Sequence, residues 1–341
     1  MYTLRSDLYW NSLIFVKMKA IEHYQKQFVT HLEHYNKPRT PKNLYAPIQY
    51  ILNLGGKRLR PTLTLMSADC FNGDVSASLD AALAIEVFHN FSLIHDDIMD
   101  KAPLRRGQQT VHKKWDLNTG ILSGDAMLIL AYQLFESYSA SQFQQLTTLF
   151  SKTALEVCEG QQYDVDFETR FDVTIPEYIK MIEYKTAVLV GAAMQMGAIV
   201  AGASTEDQKN VYDFGRYLGI AFQLQDDYLD AFGDPKLFGK QVGGDVLENK
   251  KTFLYLKALE FSSKENQKLL NHLFSSNDKD PEEKIRVVKN IFRISGSSEA
   301  TQNAVQHYTS KALSFLELLT IPKDKKEVLK VFGTNLMSRT S

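Results

Sequence analysis

The sequence predicts an all-α protein built as one large helical bundle. Apolar residues recur at the three- and four-residue spacing of helices, for example over residues 128–135 and 146–157. No run of alternating apolar and polar residues predicts a strand, and no Asn-Gly or Asp-Gly pair joins two such runs. Residues 187–203 are small and apolar on nearly all sides, which is typical of a helix at the centre of a bundle.

Prolines and capping residues mark where the predicted helices begin and end. Pro61 lies in the first turn of one helix, and Pro103 ends the helix that carries the first aspartates. Thr174 or Asp172 caps a later helix. A further helix is predicted at about 46–54. The other boundaries are an interruption at Pro235, a helix start at Asp280-Pro281 and a break between helices at Pro322. These marks divide the chain into more than ten helices.

Length and composition indicate one globular domain over residues 18–341, with residues 1–17 as an N-terminal extension before the helix that Met18 begins. A net charge of −1 without a basic stripe argues against a nucleic-acid partner. No apolar run approaches the roughly 20 residues of a membrane span, so we expect no membrane insertion. Cys70 and Cys158 are far apart in sequence, which suits a reducing, cytoplasmic location.

The first acidic cluster, Asp96-Asp97-Ile98-Met99-Asp100, follows an apolar helical run. Asp96 and Asp100 are four residues apart, so a helix places them on one face together with Ser92 and His89. Carboxylates one turn apart repel each other, and a Mg²⁺ ion bound to phosphate oxygens would remove that repulsion. The alternative is a solvated cluster at a helix end.

A second cluster, Asp226-Asp227-Tyr228-Leu229-Asp230, repeats this spacing at the end of another apolar helix. Two such clusters far apart in sequence suggest two walls of one cavity that holds several Mg²⁺ ions. Two unrelated solvated helix ends remain the alternative.

Four further stretches carry polar or charged groups that can take part in the chemistry. The turn Gly55-Gly56 leads through Lys57 into a helix start, where backbone N–H groups favour an anion. The others are the polar sequence GQQYD at 160–164, the sequence YKT at 184–186, and a loop at 238–252 that contains FGK, GGD and NKKT. The alternative for the glycine turn is an ordinary solvated turn. For the other three stretches, in order, the alternatives are core hydrogen bonding, a snorkelling lysine and a plain charged surface loop.

Taken together, these stretches resemble the trans-isoprenyl diphosphate synthases of the farnesyl and geranylgeranyl type. The motifs GGKRLRP, HNFSLIHDDIMDKAPLRRG, GQQYD, YKTA, FQLQDDYLD and GK…NKKT occur in the order typical of that family, from about residue 44 to 252. The resemblance implies the isoprenoid-synthase bundle with a central apolar cavity, a homodimer, and about three Mg²⁺ ions per active site. It also implies head-to-tail condensation of an allylic diphosphate with isopentenyl diphosphate.

The resemblance also implies roles for individual residues. Catalytic roles fall to Asp96, Asp100, Asp226, Lys185 and Lys240. Metal binding falls to these three aspartates and to Asp97, Asp227 and Asp230. Substrate binding falls to Lys57, Arg60, His89 and Arg106 for isopentenyl diphosphate, and to Arg105, Lys185, Thr186, Gln223, Lys240 and Lys250 for the allylic substrate and loop closure.

The chemistry agrees with these roles, since cleavage of an allylic C–O bond leaves charge on a diphosphate that Mg²⁺, Lys and Arg stabilise. A longer-chain polyprenyl synthase, a terpene cyclase on the same fold and a regulatory partner subunit are the alternatives. A cyclase needs no second anion site, and a silent subunit should have lost part of an acidic cluster. Both features are intact in this sequence.

Product length is expected to depend on residues one or more turns before Asp96, namely Phe91, Ser92 and Phe88. A bulky residue at the fifth upstream position shortens the product in the resembling family. Phe91 occupies that position, which favours a C15 or C20 product.

We predict that Phe91→Ala lengthens the product, because removing the ring opens space below the first aspartates. Product length by mass spectrometry, measured beside the wild-type protein, checks this expectation. An unchanged product would contradict it.

Overall fold

The computed structural model describes residues 21–234, 242–275 and 280–337. The predicted extension at 1–17, the interruption at Pro235 and the predicted site residue Lys240 lie outside the described residues.

The predicted all-α class is confirmed, because helices make up nearly all of the regular structure in the described ranges. In chain order the α-helices are α1 (21–35), α2 (Lys42–Asn53), α3 (Leu59–Cys70), α4 (Leu79–Met99), α5 (Val111–Lys114), α6 (Leu117–Gln133), α7 (Ala140–Thr169), α8 (Ile175–Ile182), α9 (Val188–Val200), α10 (Thr205–Phe232), α11 (Gly244–Leu247), α12 (Phe253–Phe261), α13 (Lys264–Leu273), α14 (Pro281–Ile294), α15 (Ser297–Leu318) and α16 (Lys323–Met337). A π-helix (Glu183–Ala187) joins α8 to α9, and 3₁₀ turns occur at Ser76–Ser78 and Leu134–Ser137.

Capping residues explain several of these starts. Thr174 accepts a hydrogen bond from the Glu177 N–H, and the Glu177 side chain bonds back to the Thr174 N–H, which completes a capping box. Asp280 caps α14, and Pro281 is the first residue of that helix. Of the two predicted caps at α8, Thr174 is the residue used.

The expectation of no strands was wrong at one short hairpin. Leu104–Arg105 (β1) pairs antiparallel with Gln108–Gln109 (β2). The two residues between them, Arg106 and Gly107, have φ values of 52° and 74°. Positive φ at both central residues is the requirement of a two-residue type I′ turn. The sequence hides this hairpin because it carries Arg-Gly where Asn-Gly or Asp-Gly is usual.

The backbone forms two compact units. The first unit comprises Met1–Ser151 and Ala192–Val211, and the second comprises Lys152–Gly191 and Tyr212–Ser341. The predicted single bundle and its central cavity stay predictions.

In the first unit, α4 contacts α2, α3, α5 and α6. Its length and apolar composition would suffice to cross a membrane, but 67% of its apolar window is buried inside the protein, so the helix serves as a core element. A cluster of aromatic rings packs beside it: Phe88 and Phe135 each contact Phe150, with ring centroids 5.1 and 5.3 Å apart.

In the second unit, α12 contacts α8, α13, α14 and α15. The core of this unit includes Leu224, Leu254 and Val288, each at most 1% exposed. This apolar packing surrounds the ends of α8 and α10, and the second acidic cluster lies at the end of α10.

Candidate active site

The turn at 55–58 presents cations at the start of α3 in the first unit. Gly55 and Gly56 have φ values of 78° and 118°, which an L-residue rarely adopts. A Cβ atom on Gly56 would lie 2.6 Å from the guanidinium of Arg106, and Arg106 donates a hydrogen bond to the Gly55 carbonyl. The two glycines therefore bring the hairpin turn that carries Arg106 against the Lys57 segment.

Arg60 and His89 lie side by side in this region. The Arg60 Nη1 atom donates to His89 Nε2 at 3.2 Å, because a guanidinium has donors only, and so the ring proton is on Nδ1. Burial and the charges of Arg60, Arg106, Arg105 and Arg58 lower the pKa of His89 well below its ordinary value. His89 is thus a neutral hydrogen-bonding group within a set of cations.

The buried Arg60 Nε atom has no hydrogen-bond partner within the described ranges. A buried donor without an acceptor is costly, so the region fits an anion supplied from outside the chain. Arg60, His89 and Arg106, all predicted to bind one diphosphate, are brought together here, and Lys57 lies in the adjoining turn.

The side chain of Asp97 points away from solvent on α4 and is 1% exposed as a residue. Both of its oxygens accept hydrogen bonds of 2.8 Å from Arg105, through Nε and Nη2. This paired geometry is the strong form of an Arg–carboxylate contact. Asp97 therefore holds Arg105 at the edge of the hairpin, which supports its predicted auxiliary place in the first cluster.

Asp96 and Asp100 lie on the other side of the same helix end. Asp96 is partly exposed, and Asp100 is exposed at the C-terminal cap of α4. His89 and Ser92, on the same predicted stripe, are also partly exposed, whereas Phe88 is buried. One face of α4 thus carries the predicted polar groups.

The predicted chain-length residues lie on α4 one to two turns before Asp96. Phe91 is 9% exposed and packs between Phe88 and His95, with ring centroids 5.4 and 4.8 Å away. Ser92 Oγ donates to the His89 carbonyl at 2.9 Å.

The second acidic cluster repeats the arrangement of the first. Asp227 is 5% exposed and accepts hydrogen bonds from the Tyr178 hydroxyl and from Gln223 Nε2, the latter at 3.0 Å. Burial, followed by the charge of Asp245, raises the pKa of the Asp227 carboxyl to about 8. Asp226 is partly exposed, so in this cluster too the second aspartate is turned inward.

Asp230 anchors the segment that follows α10. Its backbone carbonyl accepts from the Gly243 N–H at 2.7 Å, and Oδ2 accepts from the Asp245 N–H at 3.1 Å. The ammonium of Lys250 lies 3.9 Å from Asp245 and 2.9 Å from Glu248. Burial acts to lower the pKa of Lys250, but these two carboxylates raise it above its ordinary value. Lys250 is therefore a permanent cation beside the second cluster.

The π-helix displays the predicted residues Lys185 and Thr186. Lys185 Nζ donates to Asp164 at 2.6 Å, and Thr186 Oγ1 donates to Gln223 Oε1 at 3.3 Å. Where a single π-helical turn interrupts an α-helix, it is often at a functional site. The sequence gives no signal of the π-turn, since its residue types differ little from those of an α-helix.

The predicted metal ligands separate into two kinds. Asp96, Asp100 and Asp226 are partly or fully exposed carboxylates of the hard-oxygen type that Mg²⁺ takes, and they fit a metal role. Asp97, Asp227 and Asp230 are buried and bonded to protein donors. Over the described ranges, no three His, Cys, Asp or Glu side chains are already gathered into a metal-binding group.

Four residues in these networks received no role from the sequence. They are Arg58, Glu86, Asp164 and Tyr178. Glu86 had a usable signal, because it is an acidic residue inside an apolar helical run. Tyr178 had none, since its partner Asp227 is 49 residues away in the sequence.

Comparisons with known proteins agree with this fold. The polyprenyl synthetase family model matches residues 41–291. A short chain isoprenyl diphosphate synthase of Methanothermobacter thermautotrophicus is 36% identical, over 88% of this chain and 91% of that protein. A crystal structure of a geranylgeranyl pyrophosphate synthase is 54% identical with a TM-score of 0.91, over 94% and 99% of the chains. A polyprenyl synthase from Caulobacter crescentus, crystallised with calcium and isoprenyl diphosphate, is 27% identical with a TM-score of 0.85, over 96% and 98%.

The fold and the comparisons define an all-α transferase. The chain belongs to the polyprenyl synthetase family, and it is a short-chain prenyltransferase. The predicted family, fold and reaction class are confirmed.

Gly160 on α7 allows the π-helix to approach closely. A Cβ atom there would lie 2.2 Å from the backbone N of Lys185 and 2.6 Å from the carbonyl carbon of Tyr184. We predict that Gly160→Ala lowers the free energy of unfolding by about 1–3 kcal/mol through overpacking. We expect prenyl transfer to fall with it, because Lys185 moves. Calorimetry and a prenyltransferase assay measure both effects.

Gly333→Ala is the matched control, since its Cβ would meet Leu218 at an ordinary 3.5 Å. Helix propensity alone should then stabilise that variant by about 1 kcal/mol. If both substitutions changed the free energy of unfolding equally, the π-helix could move away from position 160 at little cost, and the prediction would be wrong.

Proposed function

We propose that this protein condenses isopentenyl diphosphate head-to-tail with an allylic diphosphate and releases pyrophosphate, with a C20 prenyl diphosphate as the main product. The observation that carries the proposal is the single polar face of α4. It bears His89, beside Arg60 and Arg106, and Asp96 seven residues later. Seven residues span about 10 Å along a helix. That distance suits one diphosphate held by cations and a second held through carboxylates.

The cationic end of this face binds the isopentenyl substrate in the proposal. Lys57, Arg60 and Arg106 supply positive charge, and neutral His89 supplies a hydrogen bond. Arginine forks match the oxygens of a diphosphate, so these groups orient the substrate with its alkene toward the aspartate end.

Asp96, Asp100 and Asp226 would hold Mg²⁺ on the allylic diphosphate, supported by Asp97, Asp227 and Asp230. When bound, Mg²⁺ withdraws charge from the leaving diphosphate. Arg105, Lys185, Lys240 and Lys250 add positive charge to the same group. The carboxylates and cations bind the substrate in a fixed place, so that little reorganisation is needed as the C–O bond breaks.

The proposed reaction replaces a C–O bond with a C–C bond and moves one proton. The allylic C1–O bond breaks, and its electron pair leaves with the diphosphate. The π electrons of the alkene of isopentenyl diphosphate form a bond between its terminal carbon and C1. A C–H bond of the adduct then breaks, its electron pair forms the new double bond, and the proton passes to the departing diphosphate. Oxygens of Thr186 and Gln223 lie near the developing cation in this proposal, and their mutual hydrogen bond fixes their orientation.

The C20 product and the cytoplasmic location rest on further observations. A geranylgeranyl diphosphate synthase of Methanosarcina mazei is 36% identical over 85% of this chain. The ring of Phe91, buried between two other rings, supports a limit on product length. Only two cysteines in 341 residues suit a reducing compartment.

Purified full-length protein with Mg²⁺, isopentenyl diphosphate and allylic starters of three lengths tests the function. We expect pyrophosphate release only when both substrates are present, and a C20 product by mass spectrometry. Release from the allylic substrate alone would indicate a cyclase, and no release at all would indicate a regulatory subunit. Products longer than C20 would overturn the length assignment but not the reaction.

Asp96→Asn should lower kcat by roughly a hundredfold or more, as expected when a group that stabilises transition-state charge is removed. Asp116→Asn is the matched control, because this exposed residue caps α6 and asparagine caps equally well. A similar loss in both variants would contradict the role of Asp96.

We propose a homodimer that forms through the exposed face of α6. Leu117, Ile121, Leu122 and Ile129 follow one side of this helix and are 40–60% exposed. Large apolar side chains in such a row favour a protein partner.

We expect wild-type protein to run at twice its 38.8 kDa mass in light scattering, and Ile129→Asp to run as a monomer. Ile294→Asp, at an equally exposed apolar residue of α14, should leave the mass unchanged. A monomeric wild type, or a dimeric Ile129→Asp, would contradict the proposed interface.

A further inference from the structure

Arg58 lies in the middle of the cationic turn but its side chain is buried. Its Nη1 atom pairs with Glu86 at 2.5 Å, and the two side chains are 7% and 4% exposed. The Nη2 atom donates to the Leu52 carbonyl, and Asn90 Nδ2 donates to the same Glu86 oxygen at 3.2 Å. The guanidinium of Arg58 is therefore used inside the protein.

The backbone of Arg58 is also unusual. Its φ and ψ of 47° and 40° lie in the left-handed region, where an L-residue is strained. Such a conformation persists only where the surroundings over-determine it. The Arg58 carbonyl accepts from both the N–H and the hydroxyl of Thr62, which starts α3 directly after the turn. The buried ion pair and this start of α3 together set the directions in which Lys57 and Arg60 leave the turn.

Glu86 lies within electrostatic reach of more than one cation. Burial lowers the pKa of Arg60, and the negative charge of Glu86 acts against that shift. For Arg106, burial and the charge of Arg58 lower the pKa, and Glu86 again acts in the opposite direction. Asp97, the other buried acid of this region, is occupied by Arg105. If Arg58 were absent, the Glu86 carboxylate would be buried without its counter-ion, in a region where Arg60 and Arg106 are the other cations that its charge acts on.

We propose that Arg58 is a positioning residue, which occupies Glu86 and fixes the turn so that Lys57 and Arg60 stay available for the diphosphate of the isopentenyl substrate. Arg58 itself does not touch that substrate. The inference rests on the proposed function, because it deepens the role assigned to this cationic end of the site.

The test compares Arg58→Met with the double variant Arg58→Met/Glu86→Gln in full-length protein. In the single variant, Glu86 recruits Arg60. We therefore expect the KM for isopentenyl diphosphate to rise about tenfold to a hundredfold, the range for losing a charge-assisted contact. We expect kcat and the KM for the allylic substrate to stay near their wild-type values. In the double variant the competing carboxylate is gone, so the KM for isopentenyl diphosphate should recover most of the way.

Recovery in the double variant shows that the unpaired Glu86 carboxylate, and not the missing arginine itself, causes the defect. A pair that merely supports the fold would also recover when both partners are removed, but its single variant would lose stability and change all kinetic constants together. The selective rise in the KM for isopentenyl diphosphate in Arg58→Met is therefore the outcome that a purely structural role does not produce. No recovery, an unchanged KM in Arg58→Met, or a parallel change in all kinetic constants would overturn the proposal. Lys113→Met removes an exposed positive charge from the same unit and should change none of these constants.

Two further measurements keep the test decisive. If Arg58→Met does not fold, Arg58→Lys replaces it, and a smaller rise in the same KM supports the proposal whereas no rise overturns it.

If wild-type protein shows no activity that depends on isopentenyl diphosphate, the proposed function fails. Calorimetric titration with inorganic pyrophosphate then tests the turn alone. Weaker binding in Arg58→Met with recovery in the double variant supports positioning, and equal binding in all three proteins overturns it.

Discussion

The orientation of both acidic clusters depends on how one carboxylate in each is buried. Asp97 gives both oxygens to Arg105, and Asp227 accepts from Tyr178 and Gln223. Leaving the Asp97 carboxylate buried without its arginine would cost about 3–5 kcal/mol. The partners of Asp227 are neutral groups, and they satisfy oxygens that would otherwise be buried without a hydrogen bond. Because the second aspartate is held inward, the helix period turns the first one outward, and Asp96 and Asp226 are partly exposed. The pairs inside the protein thus determine which carboxylates can meet a metal.

In the cationic region of the first unit, pairing inside the protein likewise separates the arginines that are bonded to acids from those that are not. Arg58, Arg60, Arg105 and Arg106 lie near one another, and Glu86 and Asp97 are the acids paired with two of them. The remaining guanidinium groups bond to neutral partners, His89 and the Gly55 carbonyl. Positive charge gathered in this way attracts an anion, and it repels other cations. The neutral state of His89 is a consequence, since a protonated ring would add a further like charge.

Close backbone approach is the second constraint on the site. Gly56 admits Arg106, and Gly160 admits the π-helix that carries Lys185 and Thr186. Each glycine lies beside a residue with a proposed role toward substrate. Because the glycine has no side chain, that neighbouring residue can approach closely, and its position in the site depends on the glycine. The π-turn adds one residue to a helical turn, and it brings Lys185 to Asp164 and Thr186 to Gln223 within a single unit.

The sequence by itself determined the helical class, the helix starts at Thr174 and Asp280, the acidic face of α4 and the family. These depend on spacing, capping and motif order, which are local properties of the chain. Only the tertiary structure decided that Arg58 forms an ion pair with Glu86 and that the Tyr178 hydroxyl donates to Asp227. It also decided that Arg106 occupies a type I′ turn. Those partners are 28 to 49 residues apart, or depend on a backbone conformation unusual for arginine, and no periodic pattern encodes them. A buried charge acquires its partner from packing, and packing exists only once the helices have met.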